Sequence, residues 1–383
     1  MGDAQRLSPE EQLRFAREQY EGARDFTVAV EEEFAILDPD SLDMIGRFDE
    51  LFAAARGTEL EGHLVGELIS SEVEVRTGRC DTFTEVAGTM AERRRQLVEL
   101  AAAHGIALGS TGTHPWSPWQ DQSIIDTPHY RLVEEGLRYV AWRNNTFGMH
   151  VHVGIRGADR AIAVCDALRS YLPELLALSA SSPFSEGRYT HLHSTRTQIF
   201  TRMFPRCGVP DAYGSWEEYE RYVRLLYDTG SIVEHTQIWW SVRAHLAFPT
   251  AEVRICDGQP ELGAAQSLAA FVYSLVARVA RALDDGETLP LHPRRLIEEN
   301  FWRAIRYGLG GELIDLDTGR VRPTRARLEE LLEWMLPVAE ELGAAPFLGI
   351  PSSNAAQRQI ARYETGATLG EIYADEILQP VRV

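Results

Sequence analysis

The chain has 383 residues, 44% hydrophobic and 25% charged, which fits a globular protein with room for one large domain or two ordinary ones. Its 57 acidic and 38 basic residues leave a formal net charge of -19, which argues against a nucleic acid or an anionic membrane as main partner. Lysine is absent and every basic residue is arginine, which excludes a Walker-type phosphate loop, a Schiff-base lysine and a pyridoxal-phosphate anchor.

Ser8-Pro9-Glu10-Glu11 reads as a capping box that opens a helix to about Tyr20. Residues 26–37 alternate as a strand and stop at Asp38-Pro39-Asp40. A second strand region covers 64–76, a long helix 83–104 and a short strand 106–110. Residues 112–128, rich in Gly, Pro, Trp and Ser, read as a functional or covering loop. A helix over 130–141, a strand over 147–155 and a long helix over 159–182 follow, the last containing Pro173. Residues 183–215 read as loop, then a helix over 216–227 leads to strands near 238–243 and 251–256. The last third is helical, at about 261–284, 294–308, 324–342 and 352–364. Strands and helices mix without strict βαβ alternation, which predicts an α+β fold with a largely antiparallel sheet. Neither repeats nor low-complexity linkers break the chain. The four cysteines, Cys80, Cys165, Cys207 and Cys256, lack CxxC spacing, which argues against a zinc knuckle or a disulfide framework. The polar N-terminus shows no signal-peptide stretch, and the apolar run 262–277 is short and interrupted by polar residues. A buried helix and a cytoplasmic protein are the expectations.

Four strand segments carry the candidate chemistry. In VAVEEEFAI (28–36), period two puts Glu31 and Glu33 on one face, roughly 6.5–7 Å apart, and Glu32 on the other. Two carboxylates on an apolar strand repel and are costly to bury unpaired, and divalent cations solve that problem. An edge strand with solvated glutamates is the plain alternative. Glu72, Glu74 and Arg76 share a face while Glu67 lies off it, so a joint role for Glu67 and Glu74 requires a kink or bulge near Ser70-Ser71. A salt-bridged strand face is the alternative there. In GMHVHVG (148–154), His150 and His152 share a face, and in AEVRICD (251–257) Glu252 shares one with Arg254. The latter could be a structural ion pair, or a ligand beside a phosphate-stabilising cation. Carboxylates and imidazole from four strands form the oxygen-rich set that suits Mg²⁺ or Mn²⁺ better than a thiolate zinc site.

VEEEF, the ELxxSxVEVRTG stretch (67–78), FGMHVHVG and TAEVRICD, in this order, resemble the glutamate–cysteine ligase type 2 family, also called carboxylate-amine ligases, of the glutamine-synthetase-like superfamily. LSASSPF (178–184) and NFWRAIRYG (300–308) add to the likeness, which covers about residues 26–365. The resemblance implies one catalytic domain over 1–383, with a largely antiparallel sheet lining a funnel and helices packed outside. It implies a reaction in which the γ-carboxylate of glutamate attacks ATP to give an acyl phosphate, which an amine such as cysteine then converts to an amide. It makes Glu31, Glu33, Glu67, Glu74, His150 and Glu252 the metal ligands and turns Arg254 to the phosphates. Arg196 and Arg202 are further candidates for a substrate carboxylate or phosphate, with loop-ordering ion pairs as the alternative. ATP and Mg²⁺, or Mn²⁺, are the implied cofactors, with small molecules rather than nucleic acid or membrane as partners. A homo-oligomer is compatible with all of this. Two rivals stand beside this reading: a metal-dependent hydrolase built on His150 and His152, and a non-catalytic protein that keeps the ligase fold.

Overall fold

The alternation of 28–37 builds the strand around which the sheet is assembled. In the computed structural model, which describes residues 8–378, a seven-stranded antiparallel sheet combines β1 (Val28–Leu37), β2 (Leu64–Val65), β3 (Glu72–Arg76), β4 (Ala107–Gly109), β5 (Gly148–Gly154), β6 (Val242–Ala244) and β7 (Thr250–Asp257). The order is β6-β7-β5-β1-β3-β2, and β4 pairs with the far end of β1. Helices cover the opposite face, with Leu262–Asp284 packed on β5 and Ala158–Leu168 on β6 and β7. An α+β fold results.

Side-chain parity divides the sheet cleanly. Val28, Val30, Val151, Val153, Val253 and Ile255 belong to the main apolar core on the helix side. Glu32 points the same way and is nearly sealed from solvent, at 4% exposure. Arg94, from the helix Phe83–Ala103, meets it with Nη2 at 2.5 Å from Oε1 and Nε at 3.2 Å from Oε2. Arg94 also donates to the carbonyls of Gln259 and Pro260, so every charge in this pair is answered. The helix Leu262–Asp284 is long and apolar enough to cross a membrane by length and composition, but most of its apolar stretch is buried in the core.

Several expectations need correction. Residues 64–76 form a hairpin rather than one strand: β2 runs antiparallel to β3, so the chain reverses between them and Glu67 lies in the connection. The stretch 159–182 splits at a 3₁₀ turn, Arg169–Tyr171, and restarts as Leu172–Ser179, where Pro173 lacks the N–H that a helix interior would use. The expected helix over 130–141 breaks at Arg138, whose φ of 50° ends Pro128–Leu137. Within the expected loop 183–215 lies a helix, Thr195–Met203, whose first turn is capped by the Ser194 hydroxyl accepting from the Thr197 amide. A hairpin (Glu312–Ile314 with Val321–Pro323) and the helix Leu369–Ala374 are additions. In the 112–128 stretch, His114 donates from Nε2 to the Leu42 carbonyl and accepts at Nδ1 from the Trp116 and Ser117 amides. Its ring packs edge-on against Tyr373, so this part of the stretch is structural.

Candidate active site

The sheet face opposite the core opens on a cavity of about 330 Å³. Strand register fixes what meets there. Glu31 sits opposite His150 on one side and Arg76 on the other, Glu33 opposite Glu74, and Glu252 opposite His152 and Arg243. Cross-strand neighbours on one face lie within about 5.5 Å, so pairing alone lines up carboxylates, imidazoles and guanidiniums. Glu67, on the β2–β3 connection, joins from the rim, and Tyr130, Phe200, Phe204 and Trp239 supply aromatic wall.

The polar contacts run as a chain. Glu31 lies 3.3 Å from Arg76 Nε, 3.3 Å from His150 Nδ1 and 3.5 Å from His152 Nε2. His150 Nε2 is 3.5 Å from Glu33, whose other oxygen accepts from the Gly148 amide. Glu74 meets Arg76 Nε at 2.5 Å. Fully buried Glu252 is held by Arg243 Nε at 2.5 Å and by Arg254 Nη1. Arg196 is buried, donates to the carbonyls of Arg254 and Ile255, and lies across Gly148, where a β-carbon would stand 2.2 Å from Nη2. Only glycine fits that position. One extra residue in β7, between Val253 and Cys256, then sets Asp257 opposite Gly148, and its carboxylate lies 3.8 Å from Arg196.

Electrostatics split these carboxylates into two kinds. Burial pushes Glu252 upward, but Arg243 and Arg254 outweigh it and hold the carboxyl well below the usual range. Burial is likewise overcome at Glu31 by His152 and His150, which hold it low. Burial and the Glu33 charge push Glu67 up to about 7. Burial, then Glu33 for Glu72 and Glu31 for Glu74, drive those two well up. Such a wall is short of positive charge.

Three groups of donors converge so that their ligand atoms all lie within 4.8 Å of one another: Glu31, Glu74 and His150; Glu31, His152 and Glu252; and Glu33, Glu67 and Glu74. His152 Nε2 is buried without a hydrogen-bond partner, an orphan facing Glu31 and Glu252. Oxygen-rich, imidazole-containing and free of thiolate, the set fits a divalent cation of the Mg²⁺ or Mn²⁺ kind. All six glutamate and histidine positions singled out in the sequence as ligands line this cavity, as do Arg196 and Arg254. Arg202 does not: it is exposed and outside the cavity lining. Helical geometry explains this, because Arg196 and Phe200 are one turn apart and face inward, whereas Arg202 lies about 240° round the helix from Arg196. Arg76 and Glu72 carried the parity signal in the sequence without being assigned a role, and His152 was given one only in the hydrolase alternative. Arg243 carried none, since only the β6–β7 register sets it opposite Glu252.

Residues 27–369 match the family described as glutamate-cysteine ligase family 2. A relative from Solibacter usitatus, provisionally named glutamate–cysteine ligase 2, is 37% identical over 346 residues, covering 89% of this chain and 90% of its own. One from Sorangium cellulosum with the same provisional name is 38% identical over 360 residues, covering 92% and 96%. Among solved structures, a glutamate–cysteine ligase from Francisella tularensis in complex with AMP superposes with a TM-score of 0.67 at 14% identity, over 92% of this chain and 88% of that one. A bifunctional glutathione synthetase from Pasteurella multocida gives the same score at 13% identity, over 96% of this chain and 53% of that one.

Proposed function

The chain belongs to the glutamate–cysteine ligase family 2, and on that premise we propose that its cavity activates the γ-carboxylate of glutamate with ATP and joins it to an amine such as cysteine. The chain is an ATP-dependent carboxylate-amine ligase; the acid, the amine and the residue roles are the proposed part. The observation that carries the proposal is the convergence, among the described residues, of three candidate cation groups with the arginines Arg76, Arg196, Arg243 and Arg254 on one cavity wall.

Phosphoryl transfer needs in-line positioning and charge neutralisation more than covalent help. A carboxylate oxygen of the acid attacks the γ-phosphorus of ATP, ADP leaves, and an acyl phosphate forms. The amine nitrogen then attacks the acyl carbon, phosphate leaves, and a proton is released as the amide forms. Glu31, Glu33, Glu67, Glu74, His150 and Glu252 would hold the cations, which supply Lewis-acid neutralisation of the phosphate oxygens. His152 belongs with them by its orphan nitrogen. Arg254, tethered by Glu252 and 3.4 Å from His150, would meet the transferring phosphoryl group. Arg196 presents a buried guanidinium to the substrate carboxylate. Arg202 has no part. Without lysine, arginine is the natural phosphate partner, and Arg254 takes that part.

A single catalytic domain, a cytoplasmic location and magnesium or manganese as the ion belong to the same proposal. The sheet draws strands from residues 28 to 257, and all four cysteines are free and buried. Release of ADP and phosphate that depends on glutamate, an amine and Mg²⁺ is the expected result in a panel of amines. Metal-dependent cleavage of an ester or amide without ATP would instead favour the hydrolase, and ATP turnover indifferent to every acid would sink the proposal.

A further inference from the structure

Two stretches that the sequence singles out, LSASSPF (178–184) and NFWRAIRYG (300–308), supply no residue to the cavity lining. Both converge instead behind Arg196, on Asp257. This carboxylate is fully buried. Its Oδ2 accepts from the Ser181 amide at 3.0 Å and the Ser182 hydroxyl at 2.7 Å, and its Oδ1 from the Ser194 hydroxyl at 2.9 Å. Ser182 also accepts from the Arg196 amide, while the His193 and Ser194 amides donate to the Ile305 carbonyl of the second stretch. At Gly112 a β-carbon would stand 2.7 Å from the carboxylate, so only glycine leaves room for Asp257 there.

Three uncharged donors would equally suit a neutral side chain, which costs less to bury than a carboxylate. The charge therefore needs a cation, and Arg196 supplies it. Its Nη1 lies 3.8 Å from Asp257 Oδ1 and donates to the Ile255 carbonyl at 3.2 Å, and Nη2 donates to the Arg254 carbonyl at 3.3 Å. Burial pushes the Asp257 carboxyl up, and the Arg196 charge is the foremost influence opposing it. Two carbonyls of β7 and this carboxylate thus hold the guanidinium at the cavity wall.

Asp257 itself belongs neither to that wall nor to the three candidate cation groups found among the described residues. We propose that Asp257 is a positioning residue: clamped by Ser181, Ser182 and Ser194, it fixes Arg196 at the cavity, and turnover depends on it through that arginine. This rests on the ligase reading above. The two stretches outside the cavity then share one task, to build the seat of Asp257.

A double-variant cycle on ADP release with glutamate, cysteine, ATP and Mg²⁺ separates positioning from folding. Arg196→Ala should lower kcat/KM by about a hundredfold and Asp257→Asn by about tenfold. Added to Arg196→Ala, Asp257→Asn should cost less than about twofold more, because its partner is already gone. Methylguanidinium should restore activity to Arg196→Ala, and that rescue should weaken by at least about tenfold once Asp257→Asn is added. A merely structural Asp257 would lower the rate in both backgrounds alike and leave the rescue unchanged. Where Asp257→Asn does not fold, Ser182→Ala repeats the cycle, with a loss of about threefold alone and none beside Arg196→Ala. Losses that multiply in the double variant, a rescue indifferent to Asp257, or wild-type rates in Arg196→Ala overturn the inference and leave the ligase reading standing. Absence of wild-type turnover with every acid and amine overturns both.

Discussion

Three consecutive glutamates on β1 meet opposite fates. Glu32 faces the core and is closed into a bidentate pair with Arg94, which is itself held by two carbonyls. Glu31 and Glu33 face the cavity, where Glu31 lies beside Glu74 and Glu33 beside Glu67 and Glu74 within two of the candidate ion groups. The buried histidines divide likewise. His114 has both ring nitrogens bonded to the backbone, whereas His152 Nε2 has no partner. Glu32 and His114 have their polar atoms answered by the protein itself, whereas His152 Nε2 and the carboxylates facing the cavity without a guanidinium do not. The difference lies in completeness of pairing, not in depth of burial.

The sharpest way to break this comparison is to unpair Glu32. Arg94→Met should destabilise the protein by about 3–5 kcal/mol in urea unfolding, because an uncompensated charge remains buried. Replacing both partners with apolar residues should restore most of that loss, and a cost below about 1 kcal/mol for the single change would remove Glu32 from the structural class. Acid should probe the structural histidine next. Burial depresses His114 from 6.5 to about 4, so the unfolded chain takes up its proton first as pH falls. The stability it contributes is complete above pH 6.5 and is lost as pH drops from 6.5 toward 4, by up to about 3 kcal/mol. His114→Gln should flatten that part of the stability–pH curve, and an unchanged slope would contradict the assignment.

On the cavity side the effects should move from stability to turnover. Glu31→Gln and Glu252→Gln should each lower kcat by at least about a hundredfold, equivalent to about 2.7 kcal/mol of barrier, while circular dichroism stays native. Near-wild-type rates in both would dissolve the distinction between the two faces. The smallest effect expected is on melting: Mg²⁺ at about ten times its dissociation constant should add about 1.4 kcal/mol to the wild type and less to Glu31→Gln. An equal gain in both would place the ion elsewhere.

Much of this was legible because a strand repeats every two residues. Parity puts Glu31 and Glu33 on one face of β1 with Glu32 on the other, and His150 with His152 on one face of β5, with no knowledge of partners. What parity cannot supply is register. That Arg243 faces Glu252, or that Glu67 lies near Glu74, depends on where each hairpin turns and in which register its strands pair. The β2–β3 turn was hidden because ELISS (67–71) lacks Pro, Asn or Gly, and only Gly66 hints at a break. The helix Thr195–Met203 is masked in the sequence by three β-branched Thr and by the short, nine-residue run, so the periodicity that turns Arg202 outward does not stand out.

The acidic row has a bearing on how the chain comes to its final form. Its ligands are spread over β1, β3, β5 and β7, from residue 31 to residue 252, with neighbours in the sheet far apart in sequence. Pairings of that separation close late and slowly. During synthesis, an N-terminal segment ending before residue 250 would hold the Glu33–Glu67–Glu74 group but lack Glu252, which completes the group with Glu31 and His152. Full ion binding would then become available only when the last central strand has docked, so the ion itself would report that the sheet is complete.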